Sequence, residues 1–355
     1  TDGDRFAVAA YTTQGDNGGG DFYWDASSTI TEDLVVTFES DEGGTGRWIR
    51  DYTDYITNRM AGTVGDGITD DATAMGLFFA ALVVISARET RAKGVILDDI
   101  LMGSTVTISN PSGLTIDASG AGLIFNFDGV GIDCNGSADP LYIQPVVQNF
   151  WWVGGNFTNT AVGRTASEGL RIRGFRNAGV DKAHFEGFFR GIEFSGKDTI
   201  YFKELKFFDC THHIHNEAWQ AVGVNVLIIA IDKCHHSASS ATSIIEINEP
   251  ISNMTAAGGS FNMGANTGCT CLHVKRQVLL YATTNTGLID GETITGGTSG
   301  ATMVIESITD YGDGNYLLVG SAKSAADFTG LEVVTGGTSA DTATLGNTIN
   351  LIQDP

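Results

Sequence analysis

The chain has 355 residues, 46 of them glycine and only 5 proline, and its 42 acidic side chains outweigh 20 basic ones for a net charge of −22. So acidic a surface argues against nucleic acid or an anionic membrane as partner, since both demand a basic face. Five cysteines in a chain of this length do not suggest a disulfide framework, and glycine this frequent, without a collagen period, suits many tight turns between short strands.

In chain order, residues 1–60 mix turn signals ("QGDNGGGDFYWDASS") with a short apolar strand ("LVVTF") and the compact "GGTGRWIRDY". They read as a β-rich attachment or neck segment. The stretch "GDGITDDATAM" at 65–75 is a sharp turn followed by good helix-capping residues, Thr69, Asp70 and Asp71. The next run predicts a helix from 72 to 88, ending in a basic turn and Gly94. It is apolar nearly all round, from Met75 through Leu77, Phe78, Phe79, Leu82, Val83, Val84 and Ile85, so it must be covered on most sides. It is too short and too interrupted for membrane insertion, and "SARETRAK" follows at once.

From about 94 to 284, short β-rich runs alternate with Gly, Asn and Asp turns. Apolar Leu170, Ile192 and Ile214 recur at a spacing of 22 residues, and Ile245 and Leu272 continue the series after gaps of 31 and 27. A period of twenty-odd residues built of strands and turns is the signature of a parallel β-helix, whose coils stack at about 4.8 Å. Ile192, Ile214 and Ile245 are therefore expected in one interior column. From about 285 onward "GETITGGTSGAT" returns as "GLEVVTGGTSADT", two copies that read as similar β-hairpin units. Small Gly/Thr/Ser-rich modules seldom have enough core to fold alone, so this region, 285–355, is expected to trimerise or to bind glycan.

"GDGITDDATAMGLFFAAL" resembles the motif that opens the pectate-lyase-like β-helix domain of bacteriophage tailspikes and capsule depolymerases, Gly-Asp-Gly-x-x-Asp-Asp-Thr-x-Ala-[Ile/Met] followed by a helix, with Ala72 inserted before the Thr. "GGGDFYWDASS…GGTGRWIR" is similar to the segment that precedes it in many viral spikes. The resemblance implies an all-β chain, a right-handed single-stranded parallel β-helix over 61–284 with an N-terminal capping helix, and a small C-terminal β region. It implies an extracellular virion protein on the phage tail, a homotrimer, with host surface polysaccharide and other virion tail proteins as partners. It carries no catalytic residue over.

Catalytic candidates come from the repeat itself. The residues after the interior column, Arg171, Glu193, His215, Glu246 and His273, should line one outer face, followed by Arg173, Ser195, Glu217, Asn248 and Lys275. Glu193 and Glu217 would lie one rung and two residues apart, about 8 Å, in the window of an inverting glycosidase. His215 stands between them, Arg171 and Arg173 would orient an anionic sugar, and Trp219 could desolvate one acid. Glu246 and Lys275 complete the substrate-binding set. In a lyase, His215 would instead abstract a proton beside a uronate held by Arg171, Arg173 or Lys275. The same polar face is also what any β-helix presents to water, and a binding or structural fibre with no enzyme activity is the opposing reading. No cofactor is called for. His212, His213, His235 and His236 near Cys210 and Cys234 invite a zinc reading, but the spacing is that of no closed zinc site, and the two thiols are better placed as small apolar residues inside successive coils. Of Trp151 and Trp152 one should point into the core and leave the other, with Tyr201, free to stack on sugar rings.

Overall fold

The computed structural model describes the chain except for residues 1, 42, 90, 111, 136–146, 197, 217–226, 238–242, 248–252, 259, 263–269, 275–277, 311–313, 322–327 and 347–355. Arg5–Val8, Gly20–Asp25, Arg47–Arg50 and Thr37–Phe38 form, in that spatial order, a four-stranded antiparallel sheet. Phe22, Val35, Val36 and Ile49 make its core. Arg50 is buried and donates to the carbonyls of Val35, Gly18 and Gly19, which ties the glycine-rich turn to the sheet.

The Gly-Asp-Gly motif is a backbone clamp. Gly65 and Gly67 take left-handed φ values of 64° and 68°, and Asp66 accepts the amides of Ile68 and Thr69. Buried Asp71 accepts those of Val64 and Gly65. Asp70 accepts Ala72 N at 3.0 Å and Gly103 N at 2.9 Å, so it caps the helix α1 (Ala72–Glu89) and ties it to the first full coil. Met75, Phe78, Phe79, Leu82 and Ile85 form the buried face of α1, while Leu77, Val83 and Val84 are half-buried. A Cβ on Gly94 would lie 2.4 Å from Leu82 and 2.7 Å from Phe78, a measure of how closely α1 seats on the end of the coils. Contrary to the expectation that it is too short, α1 is long and apolar enough to cross a membrane by length and composition alone; here its buried face packs on the end of the β-helix.

The strands from Ile56–Thr57 to Thr270–Val274 join in one continuous parallel sheet that winds as a β-helix. Each coil contributes to three faces. The first runs through Ala92–Val95, Asp198–Lys203 and Leu227–Asp232, the second through His184–Glu186, Lys206–Phe208 and His235–Ser237, and the third through Val106–Ser109, Val130–Asn135, Arg190–Gly196 and His212–Asn216. Long strands such as Glu168–Asp181 turn the corner from the third face to the first. On the third face Val106, Ile132, Leu170, Ile192 and Ile214 stack in register, all buried. Ile245 is buried in the strand Ser243–Ile247, which pairs with His212–Asn216. The expected interior column is thus present in register from Ile192 to Ile214; the side chain of Leu272 lies outside the described residues.

The second face carries an aromatic ladder. Phe157, Phe185 and Phe207 stack with centroids 4.5 and 5.3 Å apart, and His236 follows Phe207 at 5.3 Å. Three residues opposite this ladder are Gly169, Gly191 and His213. A Cβ on Gly169 would stand 2.9 Å from Phe185, and one on Gly191 2.8 Å from Phe207. Glycine in the third face therefore makes room for phenylalanine in the second, until one coil replaces both by histidine. His213 and His236 lie ring on ring at 5.1 Å, with their Nδ1 atoms 2.9 Å apart. Cys210 and Cys234 are buried, their thiols directed at the carbonyls of Phe185 and Phe202.

The C-terminal unit is a closed antiparallel barrel of Val278–Asn285, Tyr316–Ser321, Thr302–Asp310, Thr293–Gly296, Val333–Gly336 and Thr342–Leu345. It opens at Val278, before the change of texture near 285. The two repeats are hairpins paired to each other, Ile294 opposite Gly336 and Gly296 opposite Val334. Contrary to the expectation of a module short of core, it encloses its own, with Leu280, Ile294, Met303, Ile305, Leu318, Val334 and Leu345 fully buried. The repeat motif explains the closure. Glu332 accepts the amides of Thr298 and Ser299 in the first repeat, and Glu292 accepts those of Thr338 and Ser339 in the second. Each serine hydroxyl adds a further bond. A Cβ on Gly296 or Gly336 would lie 2.6 or 2.3 Å from the opposing carboxylate, so both must be glycine. Burial alone would raise both acids, but the amide and hydroxyl bonds outweigh it and hold them below the usual carboxylate range. Glu292→Ala or Glu332→Ala should each cost the barrel about 3 kcal/mol, because several amides lose a charged acceptor at once. Hydrogen exchange of residues 293–345 in the whole chain would show this, with the β-helix amides unchanged.

Candidate functional site: a charged face on the third sheet

The outer side of the third face is an alternating row of charge. Register places Asp133, Arg171, Glu193 and His215 on successive coils. Arg171 holds Asp133 through Nε at 3.2 Å and Nη2 at 3.1 Å, and Arg173 reaches the same carboxylate at 2.6 Å. Arg190 Nη1 lies 3.0 Å from Glu168 and 2.8 Å from Glu193. Glu193 also meets His215 Nδ1 at 3.4 Å, and His212 Nδ1 meets Glu246 at 3.1 Å.

Glu193 and His215, two of the three catalytic candidates, are therefore in contact. Glu217, Trp219 and Lys275 lie outside the described residues. Arg171 and Arg173 converge on Asp133, and Glu246 on His212. Asp133, Glu168, Arg190 and His212 are additional members. Asp133 sits in "GIDC", the same Gly–apolar–charged–apolar template as "GLRI" and "GIEF". The other three each precede the corner residue of that template, and the register pairs them rung on rung, Glu168 with Arg190 and Arg190 with His212.

The row is largely covered. Glu193 is 1% exposed and Glu168 4%, and the Arg190 side chain, 27% exposed, lies outermost of the three. Burial, then the nearby Glu193 charge, push Glu168 up to about 7, against the pull of Arg171 and Arg190. Burial likewise lowers His212, with Glu246 opposing and His215 and Arg190 adding to it. Two carboxyl oxygens that touch one guanidinium nitrogen lie within about 6 Å of each other, closer than the about 6.5–9.5 Å that leaves room for water in inverting glycosidases and near the spacing of retaining ones. One of these acids is placed to give up a proton near neutral pH.

Elsewhere, Trp152 is buried, with Nε1 donating to Gly154 O, while Trp151 stands on the outer side of the first face beside Tyr201.

Residues 1–53 match the family model of the phage tail protein small four-stranded beta-sheet domain, the antiparallel sheet described above. The match gives the chain a phage tail domain at its N-terminal end. Among solved structures the chain is similar to the Pantoea stewartii glycan biofilm-modifying enzyme WceF, which has a bacteriophage tailspike-like parallel beta-helix fold, at 12% identity and a TM-score of 0.30, over 100% of this chain and 71% of that one. It is also similar to the enzymatically active domain of tailspike protein 4 of bacteriophage CBA120, at 12% identity and a TM-score of 0.42, over 97% of this chain and 62% of that one. A third is the gp49 tailspike of Acinetobacter baumannii bacteriophage Fri1, a capsular polysaccharide depolymerase, at 9% identity and a TM-score of 0.33, over 99% and 96%. No curated protein sequence matches the chain.

Proposed function

We propose that the chain is a phage tail spike that binds host surface polysaccharide and cleaves it on the third face of its β-helix. The observation that carries the cleavage is the acid pair Glu168 and Glu193 on one Arg190 nitrogen, with His215 against Glu193. Glu168 supplies the proton to the leaving oxygen, and Glu193 acts as its partner carboxylate; Glu217, next in sequence after the strand His212–Asn216 that carries His215, is the alternative partner. Arg190 would have to give way for a sugar to enter, since it covers both acids. His215 as base, with Arg171 or Arg173 on a uronate, is the lyase version of the same site.

The burial of Glu193 favours a second reading, a receptor-binding fibre in which this row only holds the coils together. Incubating the protein with purified capsular polysaccharides and sizing the products separates the two: shortened chains support the depolymerase, and intact chains that still bind support the fibre. Absorbance of unsaturated uronates among the products would select the lyase.

We also propose a homotrimer, since isolated β-helices of few coils have modest cores. Light scattering at micromolar concentration should give three times the chain mass; a monomer would overturn it.

A further inference from the structure

The outer side of the first face carries a feature that the charged row does not use. Trp151, Gly179 and Tyr201 occupy one outward column on three successive coils. The rings of Trp151 and Tyr201 reach toward each other over the middle coil, with centroids 5.7 Å apart and planes within 25°. They can do so because position 179 is glycine: a Cβ there would lie 2.2 Å from Trp151 Cζ3. Gly179 has no left-handed φ that would demand glycine, so space for the indole is what excludes a side chain. Tyr201 is 39% exposed. The result is a stacked aromatic pair on the outer side of the first face, with Tyr201 open to water.

Polar groups flank it along the strands. On one side the Asn177 amide donates to Asn149 Oδ1 at 2.7 Å, and both asparagines sit at left-handed φ, 55° and 60°. On the other side Asp181 pairs with Lys203 in register, and its Oδ1 is enclosed with no hydrogen-bond partner among the described residues. A stacked pair of apolar rings bordered by amide and carboxylate groups matches a pyranose, which has apolar C–H faces and a rim of hydroxyls. An anionic sugar fits less well beside the Asp181 carboxylate on a chain of net charge −22.

We propose that the Trp151–Tyr201 pair is a binding subsite for a neutral pyranose unit of a polysaccharide, separate from the charged row; this rests on the polysaccharide-binding reading above. Both features share the strand Glu168–Asp181, and the six residue steps from Arg173 to Gly179 span about 20 Å of extended chain at most. One extended glycan could thus be gripped on the aromatic pair while another part of it lies along the third face.

The test uses the full chain, labelled, on an array of purified bacterial capsular polysaccharides and O-antigens. For any glycan the parental protein binds, Trp151→Ala and Tyr201→Ala should raise Kd about tenfold or more, equivalent to about 1.4 kcal/mol. Trp151→Phe should retain most of the affinity. Gly179→Val, which keeps both rings but displaces the indole, should weaken binding as the alanine variants do. Circular-dichroism melts accompany each. If the alanine variants melt early yet bind with parental Kd, the rings only cover Gly179 and the subsite is overturned while the polysaccharide reading stands. If the parental chain binds no glycan on the array, the polysaccharide reading falls, and the subsite with it.

Discussion

Glu168→Gln and Glu193→Gln are each expected to slow capsule cleavage about 10²–10⁴-fold, the usual contribution of a positioned acid or base. The two should differ in pH dependence. In the parental protein the rate should fall as pH rises through about 7, because Glu168, pushed up to about 7 by burial and by Glu193, loses the proton it must deliver. Stability follows the same direction for this group. Its pKa is higher in the fold than in the unfolded chain, so its stabilising contribution is complete below the ordinary carboxylate value and is lost as pH rises toward 7. Glu168→Gln should remove both effects. Glu193→Gln should lower the alkaline limit of the parental activity, since less negative charge then bears on Glu168 and its proton leaves more readily. Rates must be compared well below the melting temperature, because each variant takes one anion from a shared cation. Parental rates in both variants, at full folding, would reduce the row to an ion network that holds coils together.

How much of this was legible in the sequence depends on where the coils carry insertions. Leu170, Ile192 and Ile214 belong to coils of equal length, so one spacing exposes the interior column and, by alternation, Arg171, Glu193 and His215 on the outer side. Asp133 stays hidden because the stretch between it and Arg171 is longer, although "GIDC" carries the same local pattern. Glu168, Arg190 and His212 were concealed by a corner. At the start of each strand two consecutive residues face inward, Gly169 with Leu170, Gly191 with Ile192, His213 with Ile214. Alternation therefore slips by one, and the residue before the corner emerges beside the residue after it. This is why Glu168 meets Arg171 and Arg190 meets Glu193, each three positions on. Strict period-two reading assigns those side chains to the wrong side. The capping helix was readable because its apolar excess and its Gly-Asp-Gly start are both local, whereas the barrel's core was not, since it forms only when two weakly apolar hairpins pair across the repeat.

The corner rule also predicts the largest stability effect in the β-helix. In neighbouring coils the corner residue is glycine and the residue stacked against it phenylalanine, Gly169 with Phe185 and Gly191 with Phe207. His213 and His236 are the same pair with both members replaced. Burial, reinforced by neighbouring imidazoles, lowers His213 to about 3 and His236 to about 4. Both are neutral in the fold, while the unfolded chain protonates them near 6.5, so the unfolded state binds more protons between those values. Stability should then fall as pH is lowered from about 6.5 toward 4, by several kcal/mol for the two together at about 1.36 kcal/mol per unit. The double variant His213→Gly with His236→Phe reproduces the adjacent coils and should flatten that acid slope while folding at neutral pH. His236→Phe alone should be worse than either parent or double variant, because the retained His213 side chain fills the space that glycine leaves for the phenyl ring. Urea melts of the three proteins at pH 7, 5.5 and 4.5 check the order, and a double variant as acid-sensitive as the parental chain would show that the imidazole pair is not what titrates.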